Sequence, residues 1–109
     1  MAIKSWIVQR ITAVLIIPIV IYFFSYLMNM STLSYTEIRN DITSTPGMFV
    51  IIVSSLTIYL HSALGLEVII EDYIHPTGIQ KILVHISNIF HLILMLFTTS
   101  MLIIISSTA

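Results

Sequence analysis

Polar residues along this chain gather between three long apolar runs, at roughly 11–30, 48–70 and 82–106. Each run reaches the length of about 20 residues that a helix rising about 1.5 Å per residue needs to cross about 30 Å of hydrocarbon. The intervening stretches, 31–47 and 71–81, carry most of the charges. Nowhere do short alternating strands appear of the kind that build a transmembrane barrel. The pattern predicts an all-α protein of three transmembrane helices, forming one membrane domain over 1–109. No soluble domain, internal repeat, low-complexity segment or separate linker is visible.

Composition sharpens this. Of 109 residues, 58% are hydrophobic and 8% charged, where a soluble domain carries about 25% charge. Cysteine is absent, which excludes disulfides, thiolate metal sites and iron–sulfur ligation within this chain. The net charge of -1 comes with no basic tract, so a nucleic-acid partner is excluded. Lys4 and Arg10 ahead of an apolar run have the look of a secretory leader. That run is too long for a signal core and no small-residue cleavage motif follows, so it reads as a retained first span.

Basic residues set the expected orientation. Lys4 and Arg10 precede the first span and Lys81 the third, against Arg39 alone in the first loop. The N-terminus and second loop are expected inside, and the first loop and C-terminus outside. Trp6 sits where an indole meets headgroups. Pro18 removes a backbone donor within span one and predicts a kink. Thr45 precedes Pro46 and is biased away from helix, with Ser or Thr there available to cap span two. Pro76 ends span two close to an acidic pair.

The chemistry concentrates in the run from His61 to Tyr73. An ionisable side chain in a membrane helix is costly and marks a candidate site. His61, Gly65, Val68 and Asp72 recur at helical spacing and share a face. Eleven residues separate His61 from Asp72, about 16 Å of helix, which puts His61 near mid-bilayer when Asp72 is at the inner rim. Gly65, one turn from the imidazole, clears space for a flat ligand. A buried neutral imidazole suits a haem axial ligand; it equally suits a hydrogen bond to a Ser, Thr or carbonyl of a neighbouring helix. Tyr73, about 120° around from His61, is placed to donate to a quinone carbonyl, with the Asp72 carboxylate orienting it or relaying protons. Both also have an ordinary reading, as an interfacial aromatic and a helix-end acid.

This run resembles the smaller hydrophobic membrane-anchor subunits of succinate dehydrogenase, respiratory complex II. Their pattern has a His on the second span, a Gly four residues on, and Asp-Tyr eleven and twelve residues after the His. His61, Gly65, Asp72 and Tyr73 stand at that spacing, and Pro76 follows as in the family. Val8-Gln9-Arg10-Ile11-Thr12-Ala13 is similar to the family's Arg-x-Thr-Ala segment. The resemblance implies half of a heterodimeric helix bundle in a bacterial or mitochondrial inner membrane. The partners it implies are a second hydrophobic anchor subunit (cytochrome b), an iron–sulfur subunit and a flavoprotein subunit. It further implies a haem b shared between the anchors, with His61 as this chain's axial ligand and Arg10 near the propionates. Ubiquinone would be reduced near the inner surface at Tyr73, beside Asp72. The chain would hold no complete active site of its own, and succinate oxidation would belong to other subunits.

Other residues are expected to be structural. His91, at about the depth of His61, is an interhelical hydrogen-bonding residue, with a haem bridged by His61 and His91 as the alternative. His75 and His85 face solvent or headgroups. Glu67 needs a partner or a raised pKa, expected from the second anchor. Tyr22, Tyr26 and Tyr59 are expected to pack in the core. Three other functions stay open: a fumarate reductase anchor with nearly the same residues, a structural assembly subunit with no cofactor contact, and a small transporter or channel subunit lined by Glu67 and His61. The last is disfavoured, since no span is strongly amphipathic and no repeat is visible.

Overall fold

The computed structural model describes residues 3–108. They form α1 (Ile3–Asn29), a 3-10 turn (Met30–Thr32), α2 (Tyr35–Thr43), α3 (Thr45–Tyr73) and α4 (Thr77–Ser107), with no strand among the described residues. The first, third and fourth helices are long and apolar enough to cross a membrane. The unit is elongated, 52 × 27 × 23 Å. Helix α3 is its middle member, packed on α1 along one side and α4 along the other.

All three long helices overrun the apolar runs that announce them. The run measures hydrocarbon thickness, whereas the backbone ladder continues into interfacial residues whose polar side chains cost it nothing. Helix α1 passes through Pro18 as one element. The extended residue before Pro46 is Ser44, with φ -67° and ψ 154°, one position earlier than expected. Thr45 is already helical because the cap sits ahead of it, and Pro46 in the first turn lacks an N–H that has no intrahelical acceptor anyway.

The first loop is itself structured. Ser34 and Glu37 make a reciprocal capping box, Ser34 Oγ accepting from Glu37 N–H at 3.2 Å and Ser34 N–H donating to Glu37 Oε2 at 2.7 Å. These bonds hold the Glu37 carboxyl below its ordinary range. The motif starts α2, a helix the polar character of the loop had hidden. From α2, Arg39 reaches the end of α4, donating to Thr108 Oγ1 at 2.6 Å and to the Ile105 carbonyl at 3.3 Å, where a cation meets the negative end of the helix dipole. At the opposite end, Gln80 Nε2 donates to the Glu71 and Ile74 carbonyls at 3.2 and 2.9 Å. It thereby satisfies acceptors left open where α3 stops.

The interior inverts the soluble pattern. Buried residues include Thr12, Ser54, Thr57 and His91, while Leu102 is the buried apolar residue among those described. Large apolar side chains such as Ile17, Phe24, Ile89 and Leu96 point outward, toward lipid or other membrane helices. In lipid there is little gained by hiding apolar surface, so small and hydrogen-bonding residues take the helix interfaces.

The α2–α3 corner depends on a missing side chain. Ser44 Oγ donates to the Asp41 carbonyl at 2.7 Å and accepts from Gly47 N–H at 3.1 Å. A Cβ on Gly47 would overlap the Asp41 carbonyl oxygen. Gly47→Ala should therefore destabilise the α2–α3 corner by about 1–3 kcal/mol, the usual range for overpacking. Thermal unfolding of the detergent-solubilised assembly measures this, and an unchanged midpoint would show that the corner opens freely.

Candidate functional site

The interface of α1 and α3 holds the candidate site. His61, half-buried on α3, places Nδ1 3.0 Å from Thr12 Oγ1 on α1. Thr12 is 5% exposed, and its Oγ1 also lies 2.8 Å from the Val8 carbonyl and 3.0 Å from the Gln9 carbonyl. The other ring nitrogen of His61, Nε2, has no hydrogen-bond partner among the described residues. One turn on, a Cβ at Gly65 would meet Gln9 Nε2 at 3.7 Å, an ordinary contact. Gln9, Thr12, His61 and Gly65 therefore form one interhelical patch.

Arg10 stands on α1 two residues before Thr12, about 200° around the helix from it. Its side chain is exposed, with the guanidinium 5.4 Å from the Trp6 ring centroid. That contact is a cation–π stack at i, i+4 on α1. Asp72 and Tyr73 close α3. Both are exposed, Tyr73 by 80%. They lie three turns beyond His61, about 16 Å along the axis, and do not join it in one pocket. The sequence-derived candidates thus fall at two stations, His61 with Gly65 facing α1 and Asp72 with Tyr73 at the end of α3, and Arg10 on α1 is joined to neither.

His91 is in a different condition. It is 6% exposed, with Nδ1 2.7 Å from the Ser87 carbonyl and Nε2 2.9 Å from Ser62 Oγ on α3. A carbonyl only accepts, so Nδ1 carries the proton and donates it. Nε2 is then the acceptor of the Ser62 hydroxyl. No lone pair remains for a metal. His91 thus makes an interhelical bond, as the sequence reading expected, with both ring nitrogens engaged within the chain. Among the described residues no group of three His, Asp or Glu side chains could hold a metal ion. What His61 leaves without a partner among the described residues is a single ring nitrogen.

Two tyrosines expected simply to pack are bridging residues. Tyr59 Oη lies 2.9 Å from Thr98 Oγ1, joining α3 to α4. Tyr26 Oη donates to Asp41 Oδ2 at 2.9 Å, joining α1 to α2 beside an apolar cavity of about 360 Å³ lined in part by Tyr22, Leu27 and Ile51. Glu67 and Glu71 line a smaller cavity, about 210 Å³, with Gln80, Lys81 and His85 of α4. The polar surroundings expected for Glu67 from a second subunit thus come in part from its own chain.

Sequence reasoning missed the role of Thr12, although it had picked out the segment that contains it. The available signal was a hydroxyl two residues after Arg10 in an otherwise apolar stretch. Its partner, 49 positions away, appears only once α1 lies against α3.

Comparison with known proteins identifies the family of the chain. Residues 2–102 match the succinate dehydrogenase/fumarate reductase transmembrane subunit family. The succinate dehydrogenase hydrophobic membrane anchor subunit of Rickettsia prowazekii is 34% identical over 92 residues, covering 78% of this chain and 68% of that protein. Its counterpart from Rickettsia typhi is 33% identical over the same coverage. No solved structure matches. The chain belongs to this family, and with its three apolar helices it is a multi-pass membrane protein.

Gly65 allows a test of space against packing. Since a methyl group there meets only ordinary contact within the chain, Gly65→Ala should leave the fold intact, within about 1 kcal/mol of wild type and on the stable side, as alanine favours helix over glycine. Thermal unfolding of the assembly checks this. A strongly destabilised variant would assign Gly65 to packing instead of to clearance for a ligand.

Proposed function

We propose that this member of the succinate dehydrogenase/fumarate reductase transmembrane family is a redox-active anchor of a succinate:quinone oxidoreductase in a bacterial or mitochondrial inner membrane. Its partners are a second hydrophobic anchor subunit of the cytochrome b type, an iron–sulfur subunit and a flavoprotein subunit. The observation that carries the reading is the asymmetry at His61. One nitrogen is held by Thr12 and the other has no partner among the described residues, while the second mid-helix histidine, His91, is saturated.

His61 would hold a haem b together with a residue of the partner anchor. The residues present fit such a group. A neutral imidazole with one nitrogen tied and one open is the form that ligates iron. Gly65 leaves room one turn away, and the exposed guanidinium of Arg10 forks onto carboxylates such as propionates while staying charged. When bound, a haem there stores and passes single electrons.

Quinone chemistry belongs to the end of α3. The exposed Tyr73 hydroxyl would donate a hydrogen bond to a quinone carbonyl and stabilise the negative charge that develops on its oxygen during reduction. Asp72, next in chain and also at the inner surface, orients that hydroxyl or supplies the path by which protons reach the reduced oxygen. The N-terminus and the α3–α4 turn face inside, as the distribution of Lys4, Arg10 and Lys81 requires. The chain contributes ligands and hydrogen bonds to sites completed by other subunits and oxidises no succinate itself.

Two measurements test the two stations separately. His61→Ala in the assembled complex should abolish the b-type signal in the reduced-minus-oxidised spectrum while the four subunits still co-purify. An unchanged spectrum would leave His61 as an interhelical bond and the chain as a scaffold. Tyr73→Phe should slow succinate-to-quinone turnover about ten-fold or more, within the range for loss of a positioned proton donor, with succinate-to-dye activity of the peripheral subunits nearly untouched. Equal loss of both activities would remove Tyr73 from the quinone site.

A further inference from the structure

Thr12 has a role that follows from counting protons at its hydroxyl. Three groups lie within hydrogen-bond reach of Oγ1: the Val8 carbonyl at 2.8 Å, the Gln9 carbonyl at 3.0 Å and His61 Nδ1 at 3.0 Å. The hydroxyl has one proton. The two carbonyls can only accept, and a helical threonine characteristically donates to the carbonyl one turn behind it. The proton therefore goes to the backbone of α1. Oγ1 then faces His61 with a lone pair, and the Nδ1–Oγ1 contact is a hydrogen bond only if Nδ1 carries a proton. A neutral imidazole protonated at Nδ1 has its lone pair on Nε2, the nitrogen without a partner among the described residues.

We propose that Thr12 is a positioning residue that fixes His61 in the Nδ1–H tautomer and aims its Nε2 lone pair away from α1 toward an incoming iron. This rests on the reading of His61 as a haem ligand. The opposite assignment, with Thr12 donating to Nδ1, would put the proton on Nε2 and leave nothing to coordinate. Burial makes the choice durable. Thr12 is 5% exposed, so no water competes for its hydroxyl. The i−4 acceptor belongs to the same rigid helix turn, so Oγ1 stays oriented without help from the ligand.

The bond also tunes whatever metal His61 holds. An axial imidazole whose far N–H is hydrogen-bonded becomes more basic and favours the more highly charged iron state. Removing the acceptor should weaken ligation and favour the ferrous form over the ferric. The segment from Arg10 to Ala13 then has a physical content. Arg10 stays at the rim, and Thr12, two positions on and about 200° around the helix, turns inward to the histidine.

The test compares Thr12→Val, Thr12→Ser and His61→Ala in the purified four-subunit complex. Haem retention against a competing apo-haem protein, the low-spin ferric EPR signal and the haem midpoint potential are read on each. Thr12→Ser keeps the hydroxyl and should match wild type in all three. Thr12→Val keeps the volume, and should lose haem about ten- to a hundred-fold more readily. Its midpoint should rise, by about 59 mV for each tenfold loss of ferric over ferrous preference. A Thr12→Val complex with wild-type retention, EPR signal and midpoint, alongside a His61→Ala complex without haem, would overturn the proposal and leave the ligand reading intact. Haem persisting in His61→Ala would instead overturn the ligand reading itself. If Val is not accepted into the complex, Thr12→Ala replaces it. Failure of both to assemble while Ser assembles would make the hydroxyl a packing element and also overturn the proposal.

Discussion

Helices in lipid gain little from hiding apolar surface, and this chain is held together by what remains. Polar side chains link its elements: Thr12 with His61 between α1 and α3, Ser62 with His91 and Tyr59 with Thr98 between α3 and α4, and Tyr26 with Asp41 between α1 and α2. Such links average about 0.6 kcal/mol in a membrane, so none carries the fold alone. Their value lies in register. A hydrogen bond tolerates a few tenths of an ångström of slide, whereas Ile on Leu tolerates a turn. Pinning α3 to α1 at His61 and to α4 at Ser62, one residue later, fixes both neighbours to the same level of the middle helix.

That economy explains how two histidines placed deep in two spans take different roles. Both rings keep Nδ1 against an oxygen, Thr12 Oγ1 across the interface for His61 and the Ser87 carbonyl of its own helix for His91. The difference lies at Nε2. His91 meets the Ser62 hydroxyl and is closed, with a backbone carbonyl on its other side. His61 meets nothing there among the described residues. The open nitrogen also belongs to the less buried of the two rings, which suits the proposed role of His61 toward a group outside the three-helix unit. Burial alone would single out His91 of the pair; the count of donors and acceptors around each ring singles out His61.

The sequence displayed the three spans plainly, because a run of apolar residues is a direct statement about the solvent. It displayed the family through the spacing of His61, Gly65, Asp72 and Tyr73, which is a statement about one helix. What it concealed were relations between helices. Thr12 stood in a segment already picked out as similar to the family, yet its partner lies on another span. Ser62 looked like an unremarked neighbour of His61, yet it holds the ring of His91 on another span. Helix α2 escaped for a different reason. It is short and polar, so hydropathy is silent there, although Ser34 and Glu37 spell a capping box that local chemistry could have read.

The same contrast separates an anchor that takes part in electron transfer from one that only holds subunits in place. A scaffold has every reason to satisfy its polar groups internally, as this chain does at Tyr59, Thr98, Ser62, His91, Arg39 and Gln80. The groups it leaves open are then informative. His61 Nε2 is open at mid-helix, the Arg10 guanidinium rests on Trp6 at the rim, and the Tyr73 hydroxyl stands exposed at the end of α3. On the proposed reading these are the three kinds of group a half-site must expose: a ligand for iron, a cation for carboxylates and a donor for a quinone oxygen. Each costs free energy in a chain on its own. His61 and Tyr73 stand on the middle helix and Arg10 on its α1 neighbour, and on the proposed reading other subunits complete what these groups begin.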